Sequence, residues 1–150
     1  MKAALRPMDD KDLGMTYVWR NDELVRKFAT AHTAISWAEH EALFKHAPAY
    51  KYIFEINDIP CRFISFSGQD SSPETSTTWS FHLAPEARGK GYADIMLGLA
   101  VLEAKRLNFS RIISEVKLDN EASLYLHMKF KFLPLKENPE TGFLSLERDI

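Results

Sequence analysis

Leu83-Ala84-Pro85-Glu86-Ala87-Arg88-Gly89-Lys90-Gly91-Tyr92-Ala93 is the stretch on which the reading of this chain turns. A strand-like run, Trp79 to Leu83, enters it, and a long apolar helical pattern from about Tyr92 to Leu107 leaves it. Two glycines and a small residue at the mouth of a helix, with Arg88 and Lys90 among them, suit the binding of a phosphate or pyrophosphate. The unpaired N–H groups and the positive end of the helix dipole supply the attraction. The glycines let the backbone approach the anion, because no Cβ intervenes. Neither nucleotide fingerprint fits: there is no GxxxxGK[ST] and no GxGxxG.

What stands there is Arg88-x-x-Gly91-x-Ala93, and it resembles the acyl-CoA signature (Q/R-x-x-G-x-G/A) of the GCN5-related N-acetyltransferases (GNAT). The resemblance implies that Arg88, Gly89, Lys90, Gly91, Tyr92 and Ala93 hold the pyrophosphate of acetyl-CoA as co-substrate. It also implies that Leu83 holds the pantetheine arm through its backbone, on a strand that splays from its neighbour. Free N–H groups there would steady the thioester oxygen as charge develops on it.

A second stretch extends the likeness. Asn120-Glu121-Ala122-Ser123-Leu124-Tyr125-Leu126-His127-Met128-Lys129-Phe130-Lys131-Phe132 is similar to the family's late helix motif, N-x-A-S-[I/L]-x-L-Y-x-K-x-G-F. Two positions depart from it. His127 stands where the family has the tyrosine proposed as general acid, and Lys131 replaces the glycine. His127 is read either as the acid that protonates the departing thiolate or as a packed helix residue. An unperturbed imidazole, with a pKa of about 6.5, would be partly protonated at neutral pH. Asn120 either assists the cofactor arm or caps its own helix. The family's strand glutamate is also missing, since Thr78-Trp79-Ser80 occupies its place. His82, two residues on, is the candidate base, with a packed or hydrogen-bonded histidine as the alternative.

Composition sets the frame. One domain, residues 1–150, is expected from a chain of 150 residues with 45% hydrophobic and 27% charged residues. A formal charge of −2 and no Lys/Arg block give no case for nucleic acid. No run approaches the roughly 18 apolar residues of a membrane span. The N-terminus lacks the apolar core of a signal peptide, so a cytoplasmic location is the default expectation. The lone Cys61 can form neither an internal disulfide nor a metal cluster, and no metal is expected. A homodimer is left open.

In order, the patterns predict a strand over Lys2–Arg6 and a helix from Asp9 or Asp10 to about Arg20. A short helical stretch with Leu24, Val25 and Phe28 follows, then a helix opened by the capping box Ser36-Trp37-Ala38-Glu39. Tyr50–Ile56 and Cys61–Phe66 read as a hairpin joined by Asn57-Asp58-Ile59-Pro60. The strand Thr77–Leu83, the long helix and a strand Arg111–Val116 come next. A helix Glu121 to about Lys129 precedes a closing pair, Phe130–Leu135 and Gly142–Arg148. The fold class is α+β: a mixed, mostly antiparallel twisted sheet with helices on both faces, which is also the GNAT order.

The first third should choose the amine acceptor. Trp19-Arg20-Asn21 followed by Val25-Arg26, Ile35-Ser36 and Glu39-His40 is similar to a subgroup acting on amino-deoxy-sugar nucleotides, as in the pseudaminic-acid pathway. The ribosomal-protein N-terminal acetylating group shares parts of the pattern. On this reading Arg20 and Arg26 suit an acceptor diphosphate and Trp19, Trp37 or Trp79 stacks on a ring. The bland alternative places Trp19 in the core and Arg20 and Asn21 at a helix end. A protein N-terminus or small amine is the alternative acceptor. A noncatalytic acyl-CoA-binding regulatory module on the same fold is the rival of another class.

Overall fold

The computed structural model describes residues 1–29, 33–46, 49–67, 76–83 and 89–150, without the side chains of His82 and Leu83. Seven strands form one sheet in the order β1-β2-β3-β4-β5-β7-β6: β1 (Ala3–Pro7), β2 (Ala49–Ile56), β3 (Ile59–Ser67), β4 (Ser76–Leu83), β5 (Arg111–Lys117), β6 (Leu133–Asn138) and β7 (Phe143–Asp149). The helices are α1 (Leu13–Arg20), entered through a 3-10 turn Asp10–Asp12, then α2 (Glu23–Phe28), α3 (Trp37–His46), α4 (Ala93–Arg106) and α5 (Glu121–Lys129). Every strand pairing is antiparallel except β4 with β5, which the α4 crossover makes parallel.

The β2–β3 turn is shorter than expected. Asn57 and Asp58, with φ of 50° and 65°, form the whole loop, and Ile59 and Pro60 already belong to β3. Two positive φ values match the twist of a two-residue hairpin, and Asn and Asp tolerate them best after glycine. The register shift at Phe54/Glu55 falls opposite Pro60, which has no N–H to give the ladder.

Strand β6 begins at Leu133, three residues later than the sequence pattern suggests. The end of α5 explains the delay. Lys131 adopts φ of 67°, its N–H donates to Met128 O and the Phe132 N–H donates to His127 O. These paired bonds close the helix in a Schellman motif and drop Phe132, 1% exposed, into the core. Lys131 therefore occupies a left-handed position that glycine would take without strain. Helix α4 ends the same way at Asn108, with φ of 67°.

One core lies under α4, where Met96, Leu97, Ala100, Val101 and Ala104 pack at helical spacing against Ile53, Ile64, Phe66, Trp79 and Ile112. Burial of this order, at about 25 cal/mol per Å² of apolar surface, is what holds the sheet to the helix. The N-terminal strand is clamped separately. Arg6 donates to both oxygens of the buried Asp12 at 2.8 Å each and pairs with Glu55 at 3.0 Å. That fork holds the Asp12 carboxyl below the usual carboxylate range.

Candidate active site

The parallel pairing of β4 with β5 covers only Ser76↔Arg111, Thr77↔Ile112 and Thr78↔Ile113. Beyond it the strands part. β4 stays paired with β3 from Trp79 to Leu83, and β5 stays paired with β7 as far as Lys117. Among the described residues, the edges of β4 and β5 that face each other across the split pair with no other strand. A cavity of about 980 Å³ opens there. It runs from the first turns of α4 and α5, across Thr78–Phe81 and Ser114–Lys117, to α1, α2 and α3.

At one end of the cavity α4 begins without a cap: Tyr92 makes no side-chain cap bond. Gly89 and Gly91 both have φ of 72°, a conformation that costs other residues roughly 1–2 kcal/mol. Gly89, Lys90 and Gly91 are exposed, while Tyr92 is half-buried against the core, which leaves its backbone rather than its ring to the turn. Ala93 and Asp94 line the cavity. An acidic residue in the first turn would compete with an anion for the helix dipole. Here Lys129 pairs with Asp94 at 2.6 Å and neutralises it. Arg88 and the rest of 84–88 lie outside the described residues. The backbone of Leu83 lies on β4 beyond the last β5 partner. The uncapped start of α4 and the split between β4 and β5 thus open onto the same cavity.

The chain matches the family model "Acetyltransferase (GNAT) domain" over residues 2–133. It belongs to that family. GNAT enzymes transfer an acetyl group from acetyl-CoA to an amine, and this chain is an acetyl-CoA-dependent N-acetyltransferase by membership. The solved structures agree on the fold. Spermidine N-acetyltransferase from Vibrio cholerae, in complex with CoA and spermine, superimposes with a TM-score of 0.87 at 16% identity, over 98% of this chain and 95% of that one. Ribosomal-protein-alanine N-acetyltransferase from Brucella melitensis gives 0.84 at 17% identity, over 98% and 99%. An N-acetyltransferase from Staphylococcus aureus Mu50 gives 0.77 at 23% identity, over 99% of each chain. No curated protein matches the chain by sequence.

Within this GNAT domain the sequence-named residues fall into three groups. Gly89, Lys90, Gly91, Tyr92 and Ala93 gather at the helix mouth as expected. Asn120 caps its helix, its Oδ1 accepting from the Ser123 N–H at 3.3 Å, and the residue also lines the cavity. His82 lies opposite Phe63 on β4, and its side chain is outside the described set.

Three residues are placed otherwise. Trp19 is 5% exposed within the core cluster, so its ring is not offered to an acceptor. Arg26 lies outside the cavity wall, and its Nε donates to Asn21 O at 3.1 Å, bracing the α1–α2 junction. His127 is 0% exposed and does not line the cavity. Its Nδ1 lies 2.7 Å from Ser123 O and its Nε2 lies 2.8 Å from Ser114 Oγ. Burial pushes its ionisation below the ordinary imidazole value. An acid that meets the sulfur directly needs an accessible imidazolium; burial disfavours the charged form of His127 and closes its access to the cavity.

The first-third pattern divides along the same lines. Asn21 clasps Ile35 in both directions, Nδ2 to Ile35 O at 3.0 Å and the Ile35 N–H to Oδ1 at 2.8 Å, while Ser36 Oγ accepts from the Glu39 N–H. Those residues hold α1 to α3. Arg20 and His40 are what remain in the cavity wall. The guanidinium of Arg20 is held below its usual value by burial, and no hydrogen bond or ion pair engages it among the described residues. His40, 6% exposed, contacts Thr16 Oγ1 through Nε2 at 3.0 Å and leaves Nδ1 without a partner among the described residues.

Sequence reasoning missed Arg62, a second cavity-lining guanidinium lowered by burial, and Ser114. Arg62 had a signal: a charged residue inside the aromatic run Cys61–Phe66. Ser114 had a weaker one, a hydroxyl between Ile112 and Val116 on the buried face of β5.

Proposed function

We propose that this GNAT enzyme acetylates the primary amine of an anionic, ring-bearing acceptor, with amino-deoxy-sugar nucleotides as the acceptor class. The observation that carries the reading is Arg20, a half-buried guanidinium in the cavity wall that feels the charge of Glu39 but makes no hydrogen bond or close ion pair among the described residues. A half-buried guanidinium without hydrogen bonds carries a desolvation cost that a bound diphosphate would recover through charge-assisted bonds. Arg62 adds a second positive group, and Phe28, Phe44 and Phe63 supply apolar wall for a ring.

In the proposed reaction the amine enters from the α1–α3 side and meets the acetyl thioester in the β4–β5 split. The turn at Arg88–Ala93 holds the diphosphate of acetyl-CoA, Leu83 steadies the arm by its backbone, and Asn120 stands beside it. Backbone N–H groups of β4 beyond Thr78 orient the carbonyl and stabilise its developing charge. His82 takes the proton of the acceptor ammonium before attack. Holding amine and thioester together supplies much of the remaining acceleration.

A CoA-release assay with wild-type protein tests the acceptor. A UDP-linked amino-deoxy sugar is expected to exceed the same amino sugar without the diphosphate by about 100-fold in kcat/KM, the scale of two charge-assisted contacts. Arg20→Ala should erase most of that ratio while leaving the KM for acetyl-CoA unchanged. Preference for spermidine or for a neutral peptide N-terminus would overturn the acceptor assignment.

A further inference from the structure

We propose that Ser114 and His127 form a proton relay at the β4–β5 split, with the Ser114 hydroxyl meeting the reacting atoms and His127 acting through it. Ser114 is the first residue of β5 beyond the last parallel partner, Ile113, so it stands where the two strands part. It lines the cavity although it is 3% exposed. Its neighbours on the same strand face, Ile112 and Val116, are core residues, which makes a hydroxyl here an exception to an apolar row.

The hydrogen bonds fix the direction of the relay. A carbonyl oxygen only accepts, so Ser123 O at 2.7 Å assigns the proton to His127 Nδ1. Nε2 then presents its lone pair to Ser114 Oγ at 2.8 Å, and the serine hydroxyl donates to it. A hydroxyl backed by an imidazole, itself oriented by a third group, is an arrangement that moves protons. The ring is held by Trp79 at 5.9 Å, Phe81 at 6.1 Å and Phe132 at 5.1 Å between centroids. No charged side chain of the described residues acts on its ionisation. Glu115 and Lys117 occupy the alternate positions of β5, Tyr125 is exposed, and Lys129 is turned to Asp94 of α4. Burial keeps the resting imidazole neutral and ready to accept.

The proton count closes. When the amine nitrogen bonds to the thioester carbon, it carries a surplus proton. That proton passes to Ser114 Oγ as the serine's own proton passes to His127 Nε2. When the carbon–sulfur bond breaks, Nε2 returns its proton to Oγ and Oγ delivers one to the departing sulfur. An amide and a free thiol leave, and both residues are restored. The relay acts after attack, whereas His82 is assigned the earlier proton of the ammonium, and it does not depend on which amine is the acceptor.

The test uses the amine of the panel with the fastest CoA release. Ser114→Ala is expected to lower kcat about 100-fold, the usual scale of positioned proton transfer, with the KM for acetyl-CoA within about threefold. Ser114→Thr keeps the hydroxyl and should retain activity within about tenfold. Below the His127 ionisation the wild-type kcat/KM should fall more steeply with decreasing pH than that of Ser114→Ala, because only the wild type needs neutral His127. CoA binding by calorimetry and a melting curve establish that each variant is folded. Unchanged kcat and an unchanged pH profile in folded Ser114→Ala would overturn the relay. A second measurement needs no acceptor: imidazole ¹⁵N shifts of the wild-type enzyme should show neutral His127 protonated at Nδ1 at pH 7. A ring protonated at Nε2 could not accept from Ser114 and would also overturn it.

Discussion

Strands β4 and β5 are two different structures along their length. Over Ser76–Thr78 and Arg111–Ile113 they are zipped, and the buried Thr77 and Ile112 belong to the core. From Trp79 and Ser114 onward the facing edges part and line a cavity. The helix starts repeat the contrast. Asn120 caps α5 and Asp22 caps α2 through side-chain bonds, whereas Tyr92 leaves α4 open. Polar groups satisfied within the protein stabilise the fold, and polar groups left open are available to a ligand. Substitutions in the open parts should therefore change activity without stability, and substitutions in the closed parts the reverse.

The largest expected effect is at the open end. Gly91→Val places a β-branched residue at φ of 72°, which is strained whatever the space around it. The turn must then shift its N–H groups away from the anion. Calorimetry should show CoA binding weakened by about 100-fold, the loss of one or two charge-assisted bonds, while the melting temperature falls only by the few degrees that roughly 1–2 kcal/mol of turn strain costs. A large loss of stability with CoA affinity intact would break the comparison at its clearest point.

Asp12 probes a closed part. Asp12→Asn removes the carboxylate from the Arg6 fork and should cost about 2 kcal/mol in denaturant unfolding, below the roughly 3–5 kcal/mol of a fully buried pair because Arg6 is partly exposed. Acetyl-CoA binding should be unaffected. The pH dependence has a definite sign. His127 and His40 are both held below the ordinary imidazole value, so the unfolded chain binds protons that the folded one refuses. Stability should begin to fall as pH drops below about 6.5. Asp12 is held below its ordinary value by Arg6, so its contribution is present above about pH 3.9 and is lost as pH falls through the folded value. Melting curves from pH 8 to pH 3 should show both declines in the wild type and a weaker second one in Asp12→Asn.

Much of this contrast was legible in the sequence, and the boundary of legibility is physical. Motifs whose chemistry is local were readable: the glycine turn, the Asn120 cap and the Ser36 cap all depend on residues three or four apart. A cap at Asp119 or Asn120 places a helix from Glu121 to about Lys129, and α5 spans Glu121–Lys129 with Asn120 as its cap. Strand β6 starts later because the Schellman closure at Lys131 draws Phe132 into the core; a lysine does not itself announce a left-handed position, and only the glycine of the resembled motif hints at one. The acceptor-side residues were mixed because Trp19, Arg20, Asn21 and Arg26 lie within eight positions yet point to different neighbours. His127 is named by its place in a motif, but its partner Ser114 is 13 residues away on strand β5, a pairing between helix and sheet that only the fold reveals.

Two smaller effects sharpen the contrast. Lys131→Gly relieves the left-handed strain and should stabilise the fold by about 1 kcal/mol, raising the melting temperature by roughly 2–4 °C, with kcat unchanged. Lys129→Ala uncovers Asp94 at the mouth of α4 and should raise the KM for acetyl-CoA by about two- to fivefold, since a first-turn charge is worth roughly 0.3–1 kcal/mol. Added salt should shrink that difference.

Backbone hydrogen exchange with and without CoA tests the division most directly. Amides of Trp79–Leu83 on the β5-facing edge, and those of Ala93–Ile95 at the start of α4, should become protected when CoA is added. Amides of Thr77, Thr78, Ile112 and Ile113 should be protected already and change little. Unaltered exchange along Trp79–Leu83 and at the start of α4 under saturating CoA would contradict the account.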